Sequence, residues 1–357
     1  MLEKEMLEVI KKIAPGTRIR EGLDNILRAK TGALIVVGDS SEVMQVADGG
    51  FEINQEYTPA KIYELAKMDG AIIVSKDFKK ILKANVQLIP DHKIQTIETG
   101  TRHRAAERTA KQTGELVICI SHRRGIITLF LGNTRYIINE TDTIIMRANQ
   151  ALEVMEKYKS VFDYTISNLN EQELENIVSL DVVTNAIYRS EMVIRMEEEV
   201  QKNIIELGTE GKLIEIQLRQ LLNGVEAEER KIIQDYIVNS KKTKPGIDKT
   251  VEAIRKLSKE EILAGEKVAK LLGYKVEPNI LDESVIPRGY RILSKIPKMP
   301  NNIIENLIDA FYSIQGVRMA TVTELDEVDG IGETRAKIIS QTLRKLEEQY
   351  LIKNYKI

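Results

Sequence analysis

A basic triplet within GTRHRAAER, Arg102 to Arg104, is the first cluster of residues whose types and spacing could do chemistry. It follows Gly100, which permits an unusual backbone angle, and Thr101, which is a plausible helix N-cap. The triplet is then expected in the first helical turn, where free N–H groups and the positive end of the helix dipole bind anions. Three basic residues there oppose the dipole, so a negative ligand should compensate. Polyphosphate is the best candidate, because arginine grips phosphate through two hydrogen bonds.

The alternative is a solvated basic face whose charge is answered by Glu98 and Glu107. Basic residues in a first turn are the reverse of the usual helix preference. This segment alone leaves the two interpretations evenly matched.

A carboxylate immediately before an apolar run is the second cluster. Asp69 is followed by Gly70 and Ala71, whose small size lets a ligand approach the backbone. Such a carboxylate suits Mg²⁺ or Mn²⁺, hard cations that take a few carboxylate oxygens together with substrate phosphate. Asp-Gly is also among the commonest turn pairs, so the segment alone favours a simple turn.

Other chemistry finds little support in the sequence. The 357 residues contain no Walker A pattern, and GIGETR lacks the third glycine of a dinucleotide-binding loop. His92, His103 and His122 do not show metal-site spacing. The net charge of −2 means that any anion site must be local. The single cysteine, Cys119, cannot form an internal disulfide. The sequence also shows no signal core and no long apolar run. These features together predict a cytoplasmic protein with no membrane segment.

Three regions differ in their patterns. Residues 1–140 alternate short β-like runs with helical patterns, which predicts an α/β domain with a mixed sheet. Its strands are expected in 32–39, 70–77, 114–121, 125–132 and 134–140, its helices in 58–67 and after Thr101, and a hairpin turn at HRRG.

Residues 141–284 carry apolar residues at helical spacing only, which predicts an all-α linker domain. ELGTEGK should break its helices, and the polar segment 239–250 should be a loop. A capping box of Ser258 and Glu261 should start a helix that ends on Gly273.

Residues 285–357 are expected to form a small helical module with a helix-hairpin-helix pattern. Thr321 and Glu324 form a capping box, VDGIG breaks the helix, and ETRAKIISQTLRKL begins another. The pattern predicts DNA phosphate binding without base readout by the following residues: Gly330, Gly332, Thr334, Arg335 and Lys337. An earlier turn, IPKMP, looks like a degenerate hairpin, because its prolines lack N–H donors.

DGA followed about thirty residues later by GTRHR, on a mixed α/β domain, resembles the diadenylate cyclase family, whose members join two ATP molecules into cyclic di-AMP. The resemblance covers about residues 8–145. The helical middle and the C-terminal module resemble those of multidomain, DNA-binding members of that family. With them, the resemblance covers essentially the whole chain.

The resemblance implies a role for each matching residue. Asp69 would hold Mg²⁺ or Mn²⁺ and help to activate the ribose 3′-OH, and Gly70 and Ala71 would present backbone beside the nucleotide. The other positions implied to contact ATP are Leu88, Gly100, Thr101, Arg102, His103, Arg104, Ala105 and Ser121. Ala105 departs from the family, in which threonine is common, and His122 is expected to be peripheral.

The resemblance also implies a homo-octamer in which paired active sites face each other, with synthesis restrained when branched DNA binds. The competing class is a non-catalytic, structure-specific DNA-binding scaffold whose ATP site has decayed. Ala105 is the only departure from the family pattern that hints at this class. A structure-specific nuclease is a third and less favoured class.

Overall fold

A computed structural model describes residues 4–238, 244–275 and 277–355. The chain divides into two compact units, one formed by Met1–Gln150 with Val200–Ile216 and the other by Ala151–Glu199 with Gln217–Ile357. The three domains expected at 1–140, 141–284 and 285–357 remain a prediction. Within the described residues no helix is long and apolar enough to cross a membrane.

An eight-stranded sheet is the centre of the first unit. Its strands are β1 (Ala33–Val37), β2 (Ala47–Asp48), β3 (Phe51–Glu56), β4 (Ala71–Val74), β5 (Lys80–Leu88), β6 (Leu116–Ser121), β7 (Ile126–Leu131) and β8 (Thr134–Ile138). The strand order is β2-β5-β4-β1-β6-β7-β8, and β3 also pairs with β5. β1 and β4 are parallel and the other pairs are antiparallel, so the predicted mixed sheet is confirmed.

Helices cover both faces of this sheet. They are α1 (Lys4–Lys12), α2 (Arg18–Arg28), α3 (Ser41–Val46), α4 (Pro59–Leu65) and α5 (Thr101–Thr113). Helices α1, α2 and α4 share one apolar cluster with the sheet, while α3 and α5 share another on the opposite face. Burial on both faces explains the continuous apolar runs of the central strands, such as ALIVV in β1.

The five strands predicted from apolar runs are all present, as β1, β4, β6, β7 and β8. The short β2 and the polar, mostly exposed β3 lie at the edge of the sheet, where the apolar pattern is weak. β5 was also missed, because its charged side chains interrupt the run KILKANVQL.

Long helices dominate the rest of the chain. They are α6 (Thr141–Glu175), α7 (Leu180–Leu207), α8 (Lys212–Leu222), α9 (Val225–Tyr236), α10 (Lys244–Arg255), α11 (Lys259–Leu263) and α12 (Glu266–Leu272). The helix break predicted at ELGTEGK is a short 3₁₀ turn, Gly208–Gly211. The capping box of Ser258 and Glu261 is also confirmed.

Two predictions for this region were wrong. The expected loop at 239–250 is helical from Lys244 onward, because Pro245 falls in the first turn of α10, where no backbone N–H is needed; residues 239–243 lie outside the described part. The helix expected from Ser258 to Gly273 is divided into α11 and α12, because Gly265 adopts a φ of +74°. Gly273 ends α12 in a left-handed conformation, as expected.

The C-terminal helices surround their own apolar cluster. They are α13 (Tyr290–Leu293), α14 (Asn301–Phe311), α15 (Ile314–Met319), α16 (Val322–Asp326) and α17 (Glu333–Tyr355). The capping box of Thr321 and Glu324 starts α16 as predicted.

Candidate active site

Strand direction brings four strand ends to one edge of the sheet. β1 and β4 run parallel and both begin there, while β5 and β6 run antiparallel to them and end there. Ala33 pairs with Ile120, and Ala71 pairs with Val86. The residues flanking these pairs therefore share that edge: Gly32, Asp69, Gly70, Leu88 and Ser121.

Gly70 is required by the sheet. Its φ is +89°, and a methyl group there would lie 2.8 Å from the carbonyl oxygen of Val86 on β5. Any side chain would therefore be strained and would push β4 from its neighbour. The adjacent Ala71 is fully buried under α5, so this stretch of backbone is firmly held.

Asp69 is exposed at this edge, and its carboxylate forms no ion pair with any residue that the structure describes. The described residues also contain no group of three His, Cys, Asp or Glu side chains that could hold a metal ion. A single free carboxylate fits Mg²⁺ or Mn²⁺ if phosphate oxygens and water supply the other ligands.

Helix α5 begins at Thr101, and Gly100 is its N-cap. The first helical hydrogen bond runs from the Arg104 N–H to the Gly100 carbonyl over 2.9 Å. The predictions of Thr101 as N-cap and of an unusual angle at Gly100 were wrong, because the helix starts one residue earlier and Gly100 has an ordinary φ of −78°. Since glycine offers no capping side chain, the N–H groups of the first turn remain available to an anion.

Arg102 lies against Gly32, just before β1. A methyl group at Gly32 would overlap the Arg102 guanidinium and lie 3.2 Å from the carbonyl oxygen of Ile120. This contact places the start of α5 at the edge that also carries Asp69 and Ser121. No pattern in the sequence singles out Gly32, because a glycine before a strand is common.

His103 is half-buried, and its ring meets the ring of Phe130 edge-on with 6.5 Å between centroids. Burial is the main reason that the pKa of His103 lies below its ordinary value. The charge of Glu98 opposes this shift, and nearby arginines, Arg124 on the HRRG turn among them, add to it. His103 is therefore neutral at pH 7 and can donate one hydrogen bond.

Neither Arg102 nor Arg104 forms an ion pair within the described part of the chain. Glu98 instead pairs with Arg135 over 2.6 Å, and Glu107 accepts from Lys111 over 2.7 Å. Both glutamates therefore form their ion pairs outside the triplet, although the charge of Glu98 still acts on His103. The two arginines remain free to bind an anion.

The segment before α5 is tied to the helix by side chains of α5. Arg108 donates to the Ile94 carbonyl over 2.9 Å, and the hydroxyl of Thr96 donates to Glu107. Burial would raise the pKa of Glu107, but hydrogen bonds from Lys111 and Thr96 outweigh it and lower that pKa. Glu107 thus stays ionised and holds the segment in place.

The predicted HRRG hairpin turn is confirmed between β6 and β7. Its geometry involves Ser121, whose hydroxyl accepts from the Arg124 N–H over 3.2 Å. His122 is exposed on the turn. Leu88 and Ala105 pack at the margin of the apolar cluster beneath α5.

Cys119 is buried in β6, and burial raises the pKa of its thiol to about 12. It is therefore no nucleophile at neutral pH. The site therefore brings together two free arginines and a free carboxylate, and the described residues around it include no activated nucleophile.

A second candidate site is the turn between α16 and α17. Gly330 adopts a φ of +77°, and Ile331 is buried below the turn. The first backbone bonds of α17 run from Arg335 and Ala336 to the Gly332 carbonyl, over 2.8 and 3.0 Å. Gly332 faces open space among the described residues.

Side chains near this turn are partly engaged. Arg335 donates to the Gly330 carbonyl, and Lys337 pairs with Glu333 over 2.6 Å. Thr334 is exposed. A cleft of about 570 Å³ is lined by both this turn and the IPKMP turn, including Pro297, Lys298, Met299, Gly332, Thr334 and Arg335.

Two family models match this chain. Residues 20–135 match the family model of the DisA bacterial checkpoint controller nucleotide-binding domain, the diadenylate cyclase type, and residues 138–281 match the DisA bacterial checkpoint controller linker region. The sheet and its edge therefore belong to a nucleotide-binding domain of the diadenylate cyclase class.

Curated relatives extend the match to the whole chain. The chain is 51% identical over 355 residues to the DNA integrity scanning protein DisA of Acetivibrio thermocellus, covering 99% of this chain and 98% of that protein. It is 50% identical over 350 residues to the same protein of Carboxydothermus hydrogenoformans, covering 98% and 99%. The chain belongs to the DisA family.

Proposed function

We propose that the protein is a diadenylate cyclase that condenses two ATP molecules into cyclic di-AMP and two pyrophosphates. The observation that carries this proposal is the sheet edge, where Asp69 and Ser121 meet the uncapped start of α5 with its free arginines. The family membership supports it.

The reaction asks for positioning and charge neutralisation more than for covalent chemistry. Each 3′-oxygen loses its proton and bonds to the α-phosphorus of the other ATP, and the bond to the leaving pyrophosphate breaks. Asp69 would hold Mg²⁺ or Mn²⁺, which lowers the cost of an alkoxide-like 3′-oxygen. Arg102 and Arg104 would bind phosphate and offset the charge on the leaving group, and neutral His103 would donate a further hydrogen bond.

The product is two-fold symmetric, so two copies of the site facing each other would make it most simply. We therefore propose a homo-oligomer, an octamer by family resemblance, in which a lone subunit is inactive. Light scattering across a dilution series with parallel turnover assays tests this. Full specific activity in a monomeric fraction would exclude it.

Incubation of the protein with ATP and Mg²⁺ or Mn²⁺, followed by chromatography and mass analysis of the nucleotide product, tests the activity itself. Cyclic di-AMP is the expected product. A protein that binds branched DNA but makes no cyclic di-AMP would support the alternative of a non-catalytic scaffold.

Arg102→Ala and Arg104→Ala should each weaken ATP binding or turnover by roughly 2 kcal/mol or more, because each loses charge-assisted bonds to phosphate. His122→Ala is the control and should change little, because His122 is exposed and is expected to be peripheral. Steady-state kinetics on the three variants provides the comparison. Equal losses at His122 and the arginines would show that the site is wrongly assigned.

We also propose that the C-terminal module is a helix-hairpin-helix that binds branched DNA and restrains synthesis. Its support is the α16–α17 turn, where Gly332 is open and α17 presents its N-terminal end. Residues 285–357 carry only a small excess of basic over acidic residues, so the backbone geometry matters more than overall charge. The IPKMP turn shares the cleft and could contact the same backbone.

Gly332→Asp should lower affinity for branched DNA by roughly tenfold or more, because a carboxylate would stand where phosphate approaches. Arg344→Gln is the matched control, since it changes net charge equally but lies further along α17 in an exposed ion pair with Glu348. Gel-shift titrations at two salt concentrations measure both variants. Wild-type affinity in Gly332→Asp would mean that this turn does not contact DNA.

A further inference from the structure

An ion pair beside the candidate active site has no role in the function proposed so far. Arg135 Nε on β8 lies 2.6 Å from Glu98 Oε1, and the Glu98 side chain is only 11% exposed. Glu98 precedes the start of α5 by three residues, so a largely desolvated carboxylate stands at the entrance to the phosphate-binding turn.

The position of Arg135 in the sheet directs it toward the same turn. Arg135 pairs directly with Phe130 across β7 and β8, so the two side chains share a face of the sheet. The Phe130 ring contacts His103, and both Arg135 and Glu98 act on the charge of His103. The pair therefore lies within electrostatic reach of the basic triplet.

The backbone of this segment is also held. The Glu98 N–H donates to the Thr96 hydroxyl over 3.1 Å, and that hydroxyl donates to the buried Glu107. These bonds fix the backbone from which the Glu98 side chain projects, and the ion pair with Arg135 holds the carboxylate itself. An unpaired carboxylate here would repel the phosphates of ATP.

We propose that Arg135 is a positioning residue for ATP: it cancels the charge of Glu98, so that the first turn of α5 presents a net positive surface to phosphate. This inference rests on the proposed nucleotide site. It predicts an asymmetry, because loss of the arginine exposes a repulsive charge, whereas loss of the carboxylate charge exposes none.

Arg135→Met should weaken ATP binding and raise KM by roughly tenfold, with a smaller effect on kcat. Glu98→Gln should bind ATP at least as well as wild type, since glutamine can still accept from Arg135. The double variant Glu98→Gln/Arg135→Met should recover most of the lost affinity. Arg18→Met, which removes the arginine of an exposed pair with Glu56 in the same unit, is the control and should be unchanged.

ATP affinity is measured by calorimetry, KM and kcat by product formation, and folding by thermal melts of every variant. Wild-type affinity for ATP in Arg135→Met overturns the inference. Equal losses of affinity in Arg135→Met and Glu98→Gln overturn it as well. A double variant that folds but does not recover affinity is the third contradicting outcome. Because ATP binding is measured directly, a wild-type protein that binds ATP without making cyclic di-AMP counts against the proposed function alone.

Discussion

Asp69→Asn is expected to abolish cyclic di-AMP synthesis, with a loss of about a hundredfold or more, while fold and assembly are retained. The substitution removes the charge that would hold the metal and keeps the size of the side chain. Electrostatic stabilisation by a metal contributes several kcal/mol to such a reaction, and each 1.36 kcal/mol is about a factor of ten in rate. Product formation at saturating ATP and metal measures the effect.

The structure explains why this variant should remain folded. Asp69 is exposed and forms no ion pair within the described residues, so its charge supports no other contact. Asp39→Asn is the matched control, because Asp39 is also exposed but follows β1 at the opposite edge of the sheet. Near-normal output from Asp69→Asn, or an equal loss in Asp39→Asn, would contradict a metal-binding role.

Arg291→Met is expected to destabilise the second unit by about 3–5 kcal/mol, because it leaves buried acidic groups unpaired. Arg291 is fully buried on α13. Its guanidinium lies 2.5 Å from Glu173 and 2.9 Å from Glu228, and donates to Asn170 over 2.8 Å. Urea unfolding of the full chain, followed by circular dichroism, measures the change.

The stability lost in Arg291→Met should depend on pH. Asp235 accepts backbone N–H groups at the start of α13, from Gly289 over 2.8 Å and from Tyr290 over 2.7 Å. Burial, with the charge of Glu173, raises the pKa of Asp235 to about 7, and Arg291 opposes that shift. A raised carboxyl pKa means that the folded state binds more protons, so stability falls as pH rises from about 4 through 7.

Without Arg291 the pKa of Asp235 should rise further. The deficit of Arg291→Met relative to wild type should therefore be larger at pH 8 than at pH 5.5. Arg344→Met removes an exposed pair on α17 and should cost less than about 1 kcal/mol. A loss of stability in Arg291→Met no larger than that in Arg344→Met would contradict the buried ion pairs of Arg291. A loss that is independent of pH would contradict the coupling to Asp235.

The buried contacts of Arg291 also affect the choice of variants for testing DNA binding. A truncation before residue 285 would remove Arg291 and leave Glu173, Glu228 and Asp235 behind. Loss of DNA binding in such a fragment could then reflect unfolding. Point substitutions at the α16–α17 turn avoid this problem.

Much of the local structure could be predicted from residues close together in the chain. Apolar runs identified the central strands, and the capping boxes at Ser258 and Thr321 identified helix starts. These features depend on hydrogen bonds and burial patterns that span a few residues. The prediction failed at Pro245, because a proline is common both in the first turn of a helix and in a loop.

The motif residues of the candidate site could also be named from their order, since DGA and GTRHR are short contiguous segments. Their assembly depends on pairings between distant residues, which no local pattern encodes. Strand register brings Asp69 and Ser121 to one edge, Gly32 makes room for Arg102, and Arg135 reaches Glu98 across the face of the sheet. Each of these contacts exists only after strands far apart in the chain have paired, and for that physical reason only the folded domain shows which charges are free to meet a ligand.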